Sequence, residues 1–222
     1  MVFQHRRYGL FAPFVYLALL LLSLLSFAAP AAAAGGRLVL AYGDSLTAGY
    51  QLRPGEGFAP QLQAELRRRG LDATVHNAGV SGDTTAQGRA RLSWVLQSLP
   101  EKPDLVILAL GANDMLRGQP PAQAKANLAA MIGEFQKRGI PILLAGMLAA
   151  PNMGAVYARE FNAIYPSLAK EYKLQLYPFF TEGVTGNPAL QLADGMHPNA
   201  AGARLMARNV APLVERLLKA AP

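Results

Sequence analysis

The sequence predicts an α/β domain built on a parallel β-sheet, and three observations predict it. From Gly36 onward short apolar runs alternate with longer amphipathic ones, the pattern of βαβ units. Each apolar run leads into a small, polar segment, most of them glycine-rich, and in a parallel sheet such segments share one edge, where ligands bind. The chain has 222 residues, 52% hydrophobic and 16% charged, which suits one globular domain with an ample core.

The elements follow in order. His5, Arg6 and Arg7 precede an uncharged run from Tyr8 to Ala34, whose middle reads "VYLALLLLSLLSF" and whose end reads "AAPAAAAGG". A basic start, an apolar centre and small residues with Ala-x-Ala spacing (Ala29 and Ala31, or Ala31 and Ala33) describe a secretory signal peptide over residues 1–34. An uncleaved anchor is the alternative, since the run approaches the roughly 20 apolar residues that span a bilayer. The alanine-rich end favours cleavage, and with it an exported, periplasmic or secreted protein. The domain itself then occupies residues 35–222.

Strands are predicted over Arg37–Tyr42, Ala73–Asn77, Asp104–Leu110, Ile140–Met147 and Lys173–Tyr177. Helices are predicted near Gly57–Arg69, Thr84–Leu99, Pro121–Arg138, Ala155–Glu171 and Asn199–Ala220. Gly70 and Gly139 stand where helices end, and Pro103 and Pro141 stand at strand entrances. In the last helix Leu205, Met206, Val210, Leu213, Val214 and Leu217 form an apolar stripe, and Pro212 is expected to kink it. No repeat or second domain is visible.

Charge and composition exclude several functions. Without Arg6 and Arg7 the chain keeps 19 basic and 14 acidic residues, a net charge of +5. Apart from Arg67–Arg69 this charge is scattered, with no basic stripe interleaved with aromatics, so no nucleic-acid partner is expected. There is no cysteine, so covalent chemistry must use oxygen or nitrogen.

The strand ends carry "GDS", "NAGVSGDTT", "LGAND", "GMLAAPNMG" and, after the last segment, "ADGMHPNAAG". Ser45 alone is a weak signal, because a serine after a strand commonly caps the next helix. The histidines strengthen it. His5 lies in the signal and His76 in a strand, which leaves His197 in a strand-end loop with Asp194 three residues before it. In so short a turn the Asp194 carboxylate can reach one ring nitrogen of His197, leaving the other to take a proton from Ser45. Gly79, through its N–H, and Asn113, through its amide, are candidate oxyanion donors. Their plainer readings are a turn glycine and a capping asparagine.

The segments "GDSLTAGY", "NAGVSGDTT", "LGANDMLRG" and "DGMHPNAAG" resemble the blocks of the SGNH-hydrolase (GDSL) superfamily, in its bacterial arylesterase, thioesterase I and lysophospholipase branch. The likeness extends over nearly the whole mature chain, including "EFNAIYPSLAKEY" and "LYPFF". The resemblance implies Ser45 as nucleophile, His197 as base and Asp194 as its orienting acid. It also implies an oxyanion hole formed by the Ser45 and Gly79 N–H groups and Asn113. The implied fold is a flavodoxin-like three-layer sandwich, with strand order 2-1-3-4-5, a shallow cleft and no cofactor or metal. Asp44, Leu116, Met147, Leu148, Asn152 and Met153 are expected to border the substrate. Related sequences tend to have Tyr at the Met153 position, and Met fills irregular apolar space, so the chain-length preference is not inherited from the family.

The expected partner is a small-molecule ester or lipid substrate met by a monomer, with transient membrane-surface contact compatible with it. The alternatives are a carbohydrate acetylesterase, a metal-dependent hydrolase using Asp194 and His197, and a phosphate-binding protein. A lone Asp/His pair falls short of the three protein ligands usual for catalytic zinc. The Asp44 carboxylate would repel a phosphate at that helix N-terminus.

Overall fold

The computed structural model describes residues 36–220; the expected signal segment lies outside them. Five strands, β1 (Arg37–Gly43), β2 (Ala73–Gly79), β3 (Leu105–Ala109), β4 (Ile142–Ala145) and β5 (Gln175–Tyr177), form one parallel sheet in the order β2-β1-β3-β4-β5. The eight α-helices described are α1 (Ser45–Ala48), α2 (Phe58–Arg68), α3 (Thr85–Ser98), α4 (Ala112–Leu116), α5 (Pro121–Lys137), α6 (Ala155–Asn162), α7 (Ile164–Tyr172) and α8 (Ala200–Ala220).

Side-chain alternation along β1 builds the three layers. Val39 and Ala41 point to one face, where they meet Phe58, Leu62 and Leu66 of α2 and Met206, Val210 and Val214 of α8. Leu40 and Tyr42 point to the other, against Leu92 of α3, Phe135 of α5 and Tyr165 of α7. Both faces are apolar because helices cover both, as in other parallel sheets.

The differences from the predicted elements have local causes. The helix expected over Ala155–Glu171 is two helices with Ala163 between them. Pro166 lacks an N–H and its ring would clash with the carbonyl four residues back, so the first helix stops before it. Strand β5 starts at Gln175 because Lys173, at φ 54°, caps α7 in the left-handed region. Helix α8 continues through Pro212 without ending there. Its start is held by the Asn199 side chain, which accepts from the Ala201 and Gly202 N–H groups. Helices α1 and α4 sit in segments read from sequence only as strand-end loops.

Candidate active site

The turn from β1 into α1 presents Ser45. Gly43 ends the strand with no room for a side chain: a Cβ there would lie 2.1 Å from Thr47 Oγ1 and 2.7 Å from the Ala109 carbonyl oxygen. Asp44 caps α1, its Oδ1 accepting the Leu46 N–H at 3.0 Å. Ser45 follows in the first helical turn, where backbone N–H groups have no intrahelical acceptor. Gly49, at φ 82°, closes the helix after a single turn.

On the far side of the cleft the loop before α8 folds on Asp194. Its Oδ1 accepts the N–H groups of Met196 at 2.9 Å and His197 at 3.0 Å, and its Oδ2 lies 2.7 Å from His197 Nδ1. The His197 and Met196 N–H groups and the His197 ring together hold this carboxyl down at about 2, so it is a carboxylate at neutral pH. A carboxylate can only accept, which places a ring proton on Nδ1, so in the neutral imidazole Nε2 is the acceptor. Nε2 lies 2.9 Å from Ser45 Oγ, across 152 residues of sequence. Tyr50 packs against the imidazole at 4.5 Å between ring centres. The arrangement can take a proton from Ser45 and hold the resulting imidazolium beside a carboxylate.

Asn113 stands in α4 with its Nδ2 donating to the Asp83 carbonyl at 3.0 Å, which uses one of its two amide hydrogens. Gly79 closes β2 beside α1. A Cβ there would fall 2.3 Å from Ala48 N and 2.8 Å from the Asp44 carbonyl oxygen, so glycine is required by the approach of the α1 backbone. The Gly79 N–H donates to Asn77 Oδ1 at 3.0 Å, and Asn77 Nδ2 donates to the Ala48 carbonyl at 3.2 Å. Any oxyanion would therefore share the Gly79 N–H with Asn77, a residue that sequence reasoning did not single out.

A cleft of about 480 Å³ opens at this edge, lined by Ser45, Asn113, Leu116, Met147, Leu148 and His197 among others. Three residues expected to border the substrate are not among those lining the cleft. Asp44 is buried beneath Ser45, its Oδ1 committed to the α1 cap, and burial pushes its carboxyl up to about 7 despite the Leu46 N–H bond. Asp83 and Asp114 add to that rise. Met153 packs against the core on the α3, α5 and α7 side, because the single 3-10 turn Pro151–Met153 directs it inward, and Asn152 of the same turn is exposed outside the lining. Met115, Phe179, Thr181, Gln191 and Met196 line the cleft without having been anticipated as substrate contacts.

A second hollow, of about 440 Å³ between α2 and α8, is lined by Gln61, Arg68, Arg204 and Arg208 with Ala64 and Glu65, and holds no nucleophile or histidine. Among the described residues no group of three His, Cys, Asp or Glu side chains is placed to hold a metal ion, and no helix is long and apolar enough to cross a membrane.

The family model of the GDSL-like lipase/acylhydrolase family matches residues 41–205, which carry every one of these site residues. The chain belongs to this family. Among its relatives, this GDSL-like hydrolase is 41% identical to the esterase TesA of Pseudomonas aeruginosa over 185 residues, 83% of this chain and 91% of that protein. It is 38% identical to thioesterase 1/protease 1/lysophospholipase L1 of Escherichia coli strain K12 over 203 residues, 90% of this chain and 93% of that one. The crystal structure of AlinE4, an SGNH-hydrolase family esterase, superposes with a TM-score of 0.71 at 49% identity, covering 82% of this chain and 96% of that one. The GDSL-like hydrolase is a carboxylic ester hydrolase on a three-layer α/β fold.

Proposed function

We propose that the protein is an exported serine esterase whose acyl-enzyme forms on Ser45. The observation that carries this reading is the continuous chain of contacts Asp194–His197–Ser45, at 2.7 and 2.9 Å, opening into an apolar cleft. As Ser45 Oγ attacks the ester carbonyl, its proton passes to His197 Nε2 and the carbonyl electron pair moves onto oxygen. The Ser45 and Gly79 N–H groups and the Asn113 amide receive that oxyanion. His197 returns the proton to the leaving alcohol as the C–O bond breaks. Water, deprotonated by His197, then releases the acid and restores Ser45.

Leu116, Met147 and Leu148 suit an acyl or aryl group better than a bare sugar, so aryl and acyl esters are the proposed substrates, with lysophospholipids and thioesters within reach of the same chemistry. Export rests on the basic, apolar and alanine-rich order of residues 1–34.

Replacement of Ser45 by Ala tests the reading. Hydrolysis of p-nitrophenyl esters and covalent labelling by a fluorophosphonate are both expected to vanish while the melting temperature is retained. Labelling that survives in Ser45→Ala but disappears in Ser81→Ala would transfer the nucleophile to the neighbouring loop.

A further inference from the structure

The mechanism above leaves Arg91, a largely covered arginine, without a role. Arg91, on the inner side of α3, has a side chain only 17% exposed, and it joins two distant segments, the end of β1 and the loop before α3. Its Nε donates to Asp83 Oδ2 at 2.6 Å, its Nη2 donates to the Gly43 carbonyl at 2.9 Å, and its guanidinium lies over the Tyr42 ring at 4.2 Å. Gly43 is the strand residue immediately before the Asp44–Ser45 turn. Asp83 is the residue whose carbonyl orients the Asn113 amide.

The segment around Asp83 is itself clipped onto α4. The Thr85 N–H and hydroxyl both donate to the buried Asp114 carboxylate, at 2.8 and 2.6 Å, and Arg117 donates to the Gly82 carbonyl at 2.8 Å. Moving Asp83 therefore moves Asn113. A planar guanidinium, with donors at fixed angles, ties that clip to the end of β1 in one geometry.

We propose that Arg91 is a positioning residue, setting the nucleophile turn against the Asn113 amide through its simultaneous hold on Gly43 and Asp83. The inference rests on the roles of Ser45 and Asn113 proposed above. An oxyanion hole works only when donors from separate elements converge on one point, and here those elements are α1, the end of β2 and α4. A displacement of about 1 Å is enough to cost such a site most of its rate. Arg91 is not among the residues lining the cleft and its hydrogen bonds go to Asp83 and Gly43, so its effect is carried by the Asp83 carbonyl and the Gly43 peptide.

The test is a double-mutant cycle of Arg91→Lys with Asn113→Ala, in the full chain, read as kcat and KM on p-nitrophenyl butyrate, with melting temperature as the control for folding. Lys keeps the charge, but its single ammonium cannot bridge Asp83 and Gly43 as the fork does. Arg91→Lys is expected to lower kcat about tenfold with KM nearly unchanged, and to cost less than about twofold when Asn113 is already Ala. Asp83→Asn, which breaks the ion pair and leaves the carbonyl in place, is expected to give the same pattern and carries the test if Arg91→Lys does not fold. Unchanged kcat with only a lower melting temperature, or an equal loss in both backgrounds, overturns the positioning role. If Asn113→Ala itself keeps the wild-type kcat, the oxyanion reading falls first and this inference with it.

Discussion

Asp44 offers a direct physical test of the turn that bears Ser45. Its side chain is 1% exposed, and its carboxyl is pushed from 3.8 up to about 7, chiefly by burial. A carboxyl whose folded value is raised contributes stability that is fully present below the unfolded value and lost as pH rises through the folded one. Between about pH 4 and pH 7 the native state holds a proton that the unfolded state has released, so folding weakens throughout that window. At about 1.4 kcal/mol for each unit of pKa difference, the loss is about 4 kcal/mol, or roughly 10 °C in melting temperature for a domain of this size. Asp44→Asn removes the titration while its amide oxygen can still accept the Leu46 N–H. The measurement is the melting temperature of both proteins from about pH 4 to about pH 8, read as their difference so that shared titrations cancel. Asp194, whose carboxyl is held down at about 2, acts in the opposite sense, but only below about pH 4, outside the scan. The variant should gain on the wild type as pH rises. A difference that stays constant across the window would refute the claim that a buried, proton-holding Asp44 lies beneath the nucleophile.

Further expectations follow from contacts around the cleft. Gly79→Ala would place a Cβ 2.3 Å from Ala48 N, and backbone cannot swing aside as a side chain can, so α1 must shift and carry Ser45 off His197. The expected cost is roughly a hundredfold in kcat together with about 1–3 kcal/mol of stability, and wild-type kinetics would contradict it. Leu148, which lines the cleft and is 44% exposed, should matter for chain length. Leu148→Ser is expected to lower kcat/KM for octanoate and longer p-nitrophenyl esters several-fold while sparing acetate, since each CH₂ that loses its contact forfeits about 0.8 kcal/mol. Met153→Tyr, outside the lining, should change all lengths in equal proportion; a shift confined to long esters would return Met153 to the acyl path.

What could be read from the sequence was whatever is decided within a few residues. The alternation of apolar and amphipathic runs determined the five strands and their class, because burial on both faces of a parallel sheet leaves an uninterrupted apolar signature. The Asp194–His197 contact was legible because three residues of turn can bring one side chain to the other. Pro166 carried a local signal of the same kind, the rule that proline clashes with the preceding turn, yet the helix predicted over Ala155–Glu171 ran through it. Tertiary structure alone decided the rest. The 2.9 Å contact of His197 with Ser45 spans 152 residues and exists because strand order brings the start and the end of the domain to one sheet edge. Asp44 and Met153 were expected beside the substrate yet stand outside the cleft lining, because sequence places a residue in a loop without saying which way the loop turns it. Arg91 sits in a helix that covers the sheet, where an arginine ordinarily meets solvent. Its turn toward Asp83 and Gly43 follows from how α3 packs on the sheet, a rotation that no local pattern specifies.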